Sequence, residues 1–423
     1  MPRIALAVLG CKLNQAEARS WVRALSEAGA DIAPLAAPAD VCLVHSCAVT
    51  REAERKSRQL LRQARRASPN AFIVAAGCAA ELALQETRRL ACEDVLLGHA
   101  AVEGLPGELL RRLGLAIGGS GRGSLEAPVA SRTRALVKAQ DGCNQRCAYC
   151  IVPRLRGAQR SRPAGAVVAE ARELVARGYR ELVVTGTQLG EYGRDGRAGE
   201  GARLATLVAR LLAETEVERL RLSSLQPQDL SEDLLALWQD SRLCPQLHLA
   251  LQSGSDAVLG RMRRRYNGSG FLFALERARR AVPGLAVTTD VMAGFPGESE
   301  QDFRETLRLC RDAGFARMHA FPFSARPGTV AAAMSDQVLA SVKRARVRRL
   351  LALAEELRLA FEQSLDGTAA RVLWEEQDGG FWRGHAEDGT RVYARAGAAS
   401  ANTISGVRLR AGGQHLRAEP APG

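Results

Sequence analysis

From residue 133 to 330, runs of aliphatic and β-branched residues ("RALVKAQ", "ELVVTG", "ERLRLSS", "QLHLALQ", "LAVTTDVMAG", "RMHAFPF") alternate with amphipathic helical stretches. Six strand–helix units in succession leave few folds open, because parallel strands need long crossovers and right-handed crossovers put the helices outside the sheet. The pattern predicts a full or partial barrel, with its chemistry on the loops that follow the strands. Directly after the first strand, "DGCNQRCAYCIVP" sets Cys143, Cys147 and Cys150 in a C-x3-C-x2-C array.

A shorter alternation fills residues 1–116, where "IALAVL", "VCLVHS", "FIVAA" and "VLLG" are separated by Ala/Arg/Glu-rich helical patterns. It reads as a small open parallel α/β domain. The Gly/Ser-rich stretch at 117–132 reads as a linker. Residues 133–362 take in the six units and a basic helix, "SVKRARVRRLLALAEELRLAFEQ". Over 363–423 short strands with Gly turns take over, a small all-β appendage.

At 423 residues and 46% hydrophobic content, the chain exceeds one ordinary domain. Its formal charge of +13, carried mostly by arginine, favours nucleic acid over an acidic membrane as partner. The apolar start "MPRIALAVLG" runs at once into Cys11, Lys12 and Asn14, without the longer core of a signal peptide. "AFIVAAGCAAELAL" is broken by Glu81 and is shorter than the roughly 20 residues a membrane span needs. The expectation is a cytoplasmic protein with no membrane partner, so its ten cysteines are tested first as metal or redox ligands.

Three thiols on one loop suit a particular inorganic partner. Structural zinc takes four ligands, and no second C-x2-C completes a site. A [4Fe-4S] cluster held by three thiolates keeps one iron open for a small molecule. Cys11, Cys47 and Cys78 each fall just after a predicted strand of the first domain, at positions that share one edge of a parallel sheet. They are candidates for a second such cluster. Cys42, Cys92, Cys244 and Cys310 sit in apolar or helical patterns and read as core residues, and His45, His248 and His319 as packed or hydrogen-bonded strand residues.

The Cys143–Cys150 array, with Tyr149 before its last cysteine, resembles the radical S-adenosylmethionine (SAM) superfamily. That resemblance implies that SAM chelates the open iron and is reductively cleaved to a 5′-deoxyadenosyl radical. With the second triad and the basic tail, the chain resembles the methylthiotransferases: "LGCKLNQAEA", "AERKSRQ", "QDGCNQRCAYCIVPRLRGAQRSRP", "LQSGSDAVLGRM" and "TTDVMAGFPGESEQDF" carry the likeness. The family combines an N-terminal cysteine-bearing α/β domain, a radical-SAM partial (β/α)6 barrel and a C-terminal TRAM-like RNA-binding barrel. "LGCKLNQ", "AERKSRQ" and "RLRLSSLQP" look most like the subfamily acting on N6-threonylcarbamoyladenosine beside the tRNA anticodon, although Gln226 stands where that subfamily usually has an acid.

The resemblance implies two [4Fe-4S] clusters, SAM, a tRNA anticodon loop, an electron donor and a sulfur source. Cys143, Cys147 and Cys150 would hold the SAM-cleaving cluster, and Cys11, Cys47 and Cys78 the auxiliary one. Strand-end polar groups are the SAM candidates: Thr185, Gly186, Gln188, Ser224, Gln252 and Asp290. Arg154, Arg156, Arg160 and Arg162 after the cysteine loop, and Arg371 and Arg383 in the tail, are the RNA candidates, with Trp374, Phe381, Trp382 and Tyr393 interleaved for stacking. The expected product is a 2-methylthio adenosine. Another modified tRNA adenosine and a ribosomal protein side chain are the alternative substrates. Sulfur insertion of the lipoyl-synthase type and a non-catalytic RNA-binding iron–sulfur sensor are more distant rivals.

Overall fold

The computed structural model describes residues 1–114, 133–395, 397, 399–412 and 415–420. The linker expected at 117–132 lies outside the described residues. The N-terminal unit is a five-stranded parallel sheet of order β2-β1-β3-β4-β5, built from β1 (Arg3–Val8), β2 (Asp31–Pro34), β3 (Val41–Ser46), β4 (Phe72–Gly77) and β5 (Val95–Leu97). Helices α1 (Lys12–Glu27), α2 (Arg51–Ala67), α3 (Cys78–Gln85) and α4 (Leu105–Arg112) cover it. Strand β3 is buried along its whole length, as a central parallel strand covered on both faces must be. Strand β2 escapes pattern recognition because "DIAP" is four residues long and ends in proline, which an edge strand tolerates.

The next unit carries the six expected strands. They are β6 (Arg134–Lys138), β9 (Glu181–Thr185), β10 (Arg219–Leu222) continued by β11 (Ser224–Leu225), β12 (Gln246–Leu249), β13 (Ala286–Ala293) and β14 (Arg317–Pro322). A short antiparallel pair, β7 (Gln140–Asp141) with β8 (Arg160–Ser161), pins the base of the cysteine loop. Helix α5 (Val152–Arg156) closes that loop, and α6 (Ala164–Ala176), α7 (Leu204–Glu214), α8 (Glu232–Ala236), α9 (Asp256–Arg261), α10 (Gly268–Ala281), α11 (Glu300–Ala313) and α12 (Ala340–Ser364) follow. All six strands are parallel, in the order β6-β9-β10/β11-β12-β13-β14, an open arc and hence a partial barrel.

Alternation along these strands divides the barrel wall. Ala135, Val137, Leu182, Val184, Leu220, Leu222, Leu247, Leu249, Val287 and Met318 enter the core shared with the outer helices. The residues between them, among them Glu181, Arg221, His248, Asp290 and His319, face the interior. The inner wall is therefore polar.

The C-terminal unit is a closed five-stranded barrel of β15 (Ala369–Asp378), β16 (Phe381–Ala386), β17 (Arg391–Arg395), β18 (Ile404–Arg410) and β19 (Leu416–Pro420). It docks where the large barrel's strands begin: Arg219 Nη1 donates to His385 O (2.9 Å), Arg221 Nη1 to Glu387 O (3.0 Å), and Arg134 Nε pairs with Glu375 (2.9 Å). Trp374, proposed above as a stacking residue, is instead core, its ring 1% exposed and its Nε1–H bonded to Ser405 Oγ (2.8 Å). A barrel this small has an interior too narrow to do without a large aromatic filler. Replacing it with alanine is expected to cost about 3–5 kcal/mol. Limited proteolysis of Trp374→Ala should then cut beyond α12 well before the N-terminal sheet is touched.

Candidate active site between two cysteine triads

Strands β1, β3 and β4 are neighbours in the N-terminal sheet, and each delivers one cysteine at its C-terminal end. Ser46 is in register with Gly77, so Cys47 and Cys78 leave the sheet side by side. Cys11 caps α1 across from them. At Gly10 a Cβ would come within 3.1 Å of the Cys47 Cβ. Gly77, at φ +90°, has no room for a side chain, since a Cβ would stand 2.5 Å from His45 Nδ1. The second triad is held just as tightly. Gly142, at φ +66°, has a hypothetical Cβ only 2.1 Å from Ala158 O, and Cys143 N donates to Gly157 O (3.1 Å).

One short helix separates the triads. Helix α5 begins two residues after Cys150, and Ile151 and Leu155 are buried in the same apolar cluster as Cys78 and Ala79. Burial and neighbouring thiols push Cys47 and Cys143 upward and hold Cys78 and Cys150 at about 12. Each triad also has an arginine beside it, buried Arg156 at the first and half-buried Arg264 at the second. Arg156 opposes the rise at Cys78, and Arg264 Nη1 lies 3.5 Å from Cys147 Sγ. Crowded, unpaired, soft donors beside a cation fit a polynuclear iron–sulfur group. Among the described residues, the one His/Cys/carboxylate set within 4.8 Å is Glu17–His99–Asp141. Lys138 Nζ, at 2.8 Å from Glu17 and 2.7 Å from Asp141, already supplies a cation there.

Arg156 corrects the sequence reading. Expected at RNA, it is 3% exposed and donates to Asn14 Oδ1 (2.7 Å), Glu17 Oε1 (3.2 Å) and Asp141 Oδ1 (2.9 Å). Asn14 Nδ2 also donates to His45 Nδ1 (3.2 Å), and the opposite nitrogen of that ring donates to Glu17 Oε2 (2.9 Å). His45, fully buried and stacked on Trp21, is kept neutral by burial. Arg162 is likewise engaged, with Glu170 and Lys138 O (both 2.6 Å), and Arg383 pairs with Glu376. Arg154 is exposed but braced on Gln85 Oε1 (2.8 Å) and Pro327 O (3.0 Å), while Arg160 is half-buried and Arg371 exposed.

The SAM candidates separate as well. Gln188 joins a buried amide cluster: Gln226 Nε2 donates to Gln188 Oε1 (2.7 Å) and to Gln145 Oε1 (2.9 Å) in the cysteine loop. Gly186 fits against Gln140, which a Cβ would meet at 2.9 Å. Thr185 is buried at the end of β9, Ser224 is exposed, and Gln252 is buried in a left-handed conformation (φ +66°). Asp290 is held by His319 Nδ1 (3.2 Å) and His248 Nε2 (3.4 Å), which outweigh burial and keep its carboxyl well below the usual range. Burial, with Glu191 nearby, pushes Asp229 up to about 6. Gln145 Nε2, Asp229 Oδ1, Ser223 Oγ, Gln252 Oε1 and Arg264 Nη2 are buried without a hydrogen-bond partner. Unsatisfied donors and acceptors above a polar lumen suit a charged, many-armed ligand such as SAM. Gln145, Asp229 and Arg264 went unnoticed in sequence; "RMRRRY" gives no sign of which arginine turns inward. A separate groove of about 930 Å³ between α1 and α6 is lined by none of the cysteines.

Removing the Arg156 guanidinium would leave the buried Glu17 and Asp141 carboxylates to share one ammonium, that of Lys138. Arg156→Ala is expected to destabilise the folded chain by about 3–5 kcal/mol, read as a lowered denaturation midpoint, with Arg156→Lys intermediate. Burial raises the pKa of Glu17 and Asp141, but the bonds from His45 and His99 and the charges of Arg156 and Lys138 win, so both end well below their usual range. Their stabilisation is therefore complete above the unfolded-state pKa near 4 and is lost as pH falls further. Acid titration of unfolding should show that loss below about pH 4, reduced in Glu17→Gln.

A family model described as the radical SAM superfamily matches residues 137–310, and one described as uncharacterized protein family UPF0004 matches 3–98. The chain is 36% identical over 388 residues to the threonylcarbamoyladenosine tRNA methylthiotransferase MtaB of Bacillus subtilis, covering 89% of this chain and 85% of that protein. It is 37% identical over 407 residues to the protein of the same name from Chlamydia pneumoniae, covering 96% and 94%. To the tRNA-2-methylthio-N(6)-dimethylallyladenosine synthase of Acidothermus cellulolyticus it is 38% identical over 384 residues, covering 88% and 77%. Among solved structures, the radical SAM methyltransferase TsrM from Kitasatospora setae, with cobalamin and a [4Fe-4S] cluster bound, shares the fold at a TM-score of 0.55 and 15% identity, covering 78% of this chain and 77% of that one. No helix among the described residues is long and apolar enough to cross a membrane. On the strength of its full-length relatives and of two cysteine triads set one short helix apart, this chain belongs to the radical SAM methylthiotransferase family.

Proposed function

We propose that this protein adds a methylthio group to C2 of N6-threonylcarbamoyladenosine at position 37 of tRNA. The observation that carries the reading is the placement of two three-thiol sites on either side of α5, one at the mouth of a polar partial barrel and one at the edge of the N-terminal sheet. Cys143, Cys147 and Cys150 would hold the cluster that binds SAM, and Cys11, Cys47 and Cys78 the auxiliary cluster. When bound, these groups supply reductive SAM cleavage to a hydrogen-abstracting radical and a source of methylated sulfur.

The chain's own residues bind and orient. Arg264 sets a fixed positive charge beside Cys147 and is itself fixed by Tyr266 (3.0 Å). The Gln145–Gln226–Gln188 cluster braces the cysteine loop against the ends of β9 and β11, and so holds the reacting groups in register. Thr185, Gly186, Gln188, Ser224, Gln252 and Asp290 remain the proposed SAM contacts. On the RNA side, exposed Arg154, half-buried Arg160 and exposed Arg371 are the proposed phosphate contacts. An external electron donor and an external sulfur source complete the reaction, and tRNA as substrate puts it in the cytoplasm.

Relatives named for dimethylallyladenosine are as similar as those named for threonylcarbamoyladenosine, so N6-dimethylallyladenosine is the second reading. Nucleoside mass spectrometry of tRNA from cells with and without this protein separates the two. A methylthio derivative of threonylcarbamoyladenosine that disappears with the protein is the expected result. In the reconstituted enzyme, Cys143→Ala should abolish both SAM cleavage and product. Cys78→Ala, retaining the first cluster, should lose product while still forming 5′-deoxyadenosine with a strong reductant.

A further inference from the structure

Lys12, the first residue of α1, directly follows the candidate ligand Cys11. Lys12, Ala16 and Arg19 share one helical face. Arg19 Nη2 on that face donates to Arg134 O at the start of β6 (3.1 Å), so the face looks onto the open seam of the partial barrel. Burial lowers the pKa of the Lys12 ammonium, and the charges that act on it besides are Arg221, Arg134, Glu181 and Asp290, on four different strands of the barrel. A residue of the N-terminal unit thus projects its charge into the barrel interior.

Three arginines of β6 and β10 beside this face are already engaged. Arg221 pairs with Glu181 (2.9 Å), Arg134 with Glu375 (2.9 Å), and Arg219 is spent on Glu181 and on His385 O of the C-terminal barrel. Lys12 is exposed and has no hydrogen-bond or ion-pair partner among the described residues. A flexible ammonium beside one candidate cluster, next to arginines that are already paired, is suited to an anionic group carried in by the substrate.

We propose that Lys12 reads the N6 substituent of the target adenosine by pairing with its free carboxylate. The inference rests on the proposed function and names the recognition element within it. Threonine joined through its nitrogen to a carbamoyl group keeps its carboxylate, whereas a dimethylallyl group carries neither charge nor acceptor. An ammonium at this point favours the first and disfavours the second, because an isoprenoid would cover the charge without pairing it. Since Lys12 and Cys11 are consecutive, a substituent held at Lys12 also keeps its base beside the auxiliary triad.

The test uses the enzyme reconstituted with both clusters and three anticodon stem-loop RNAs. These carry threonylcarbamoyladenosine, its methyl ester, or dimethylallyladenosine at the same position, and binding is read by fluorescence anisotropy alongside iron per chain. Lys12→Met is expected to weaken binding of the carboxylate RNA by about ten- to a hundredfold, the value of one hydrogen-bonded charge pair. It should leave the ester RNA and the iron content unchanged and strengthen binding of the dimethylallyl RNA, whose apolar substituent no longer covers an unpaired charge, and Lys12→Arg should recover most of the loss. Equal affinity of Lys12→Met and wild type for the carboxylate RNA, an equal loss for all three RNAs, or lost iron would each overturn the proposal. Failure of the wild-type enzyme to methylthiolate the carboxylate RNA would instead count against the proposed function, since binding selectivity is read independently of turnover.

Discussion

The placement of the two triads depends on one buried cation. Arg156 leaves the barrel unit on α5 and ends among Asn14 and Glu17 of α1 and Asp141 of the cysteine loop, with His45, His99 and Lys138 around them. Burying so many charges is costly unless every one is paired, and this network is satisfied only when the two units meet in a single relative position. Arg326, 2% exposed and bonded to Glu54 of α2 (2.7 Å), makes a second such tie farther round the seam. Two parallel α/β units that could each fold around their own apolar core are thereby made into one rigid chamber.

That chamber explains why the inner wall of the barrel is polar where a closed barrel would be packed with aliphatic side chains. Glu181, Arg219 and Arg221 neutralise one another at the end where the C-terminal barrel docks, and His248 and His319 hold the Asp290 carboxylate higher up. Fixed, internally paired charges of this kind present preorganised dipoles to a polar substrate. Gln226 belongs to the same logic. An acid at that position would stand beside Asp229, whereas the amide donates to two neighbouring glutamines and tethers the cysteine loop.

Much of the fold is legible in the linear pattern, because parallel strands buried on both faces write themselves as continuous apolar runs. All six barrel strands and four of the five N-terminal strands stand where those runs predict. Strand β2 and the β7–β8 pair do not, being too short or too polar to carry a period. The positions of the cysteines are legible too: Cys143, Cys147 and Cys150 share one loop, and Cys11, Cys47 and Cys78 follow three neighbouring strands of one sheet. Cys42, Cys244 and Cys310 are buried as their apolar context predicts.

Charged side chains are where the sequence misleads. Arg154, Arg156, Arg160 and Arg162 look alike in "PRLRGAQRSR", yet one is the buried keystone of the molecule, one is paired with Glu170, and two remain at or near the surface. A guanidinium's role is set by which carboxylates the tertiary structure brings within reach, and those come from residues 17 and 141, far apart in the chain. Sequence by itself determined the strand–helix rhythm and the kinds of donor atom on offer, since both follow from local periodicity and residue type. Only the folded chain decided which charges are spent in holding the units together and which, such as Lys12, stay free to meet a substrate, because electrostatic partnership depends on distance through space.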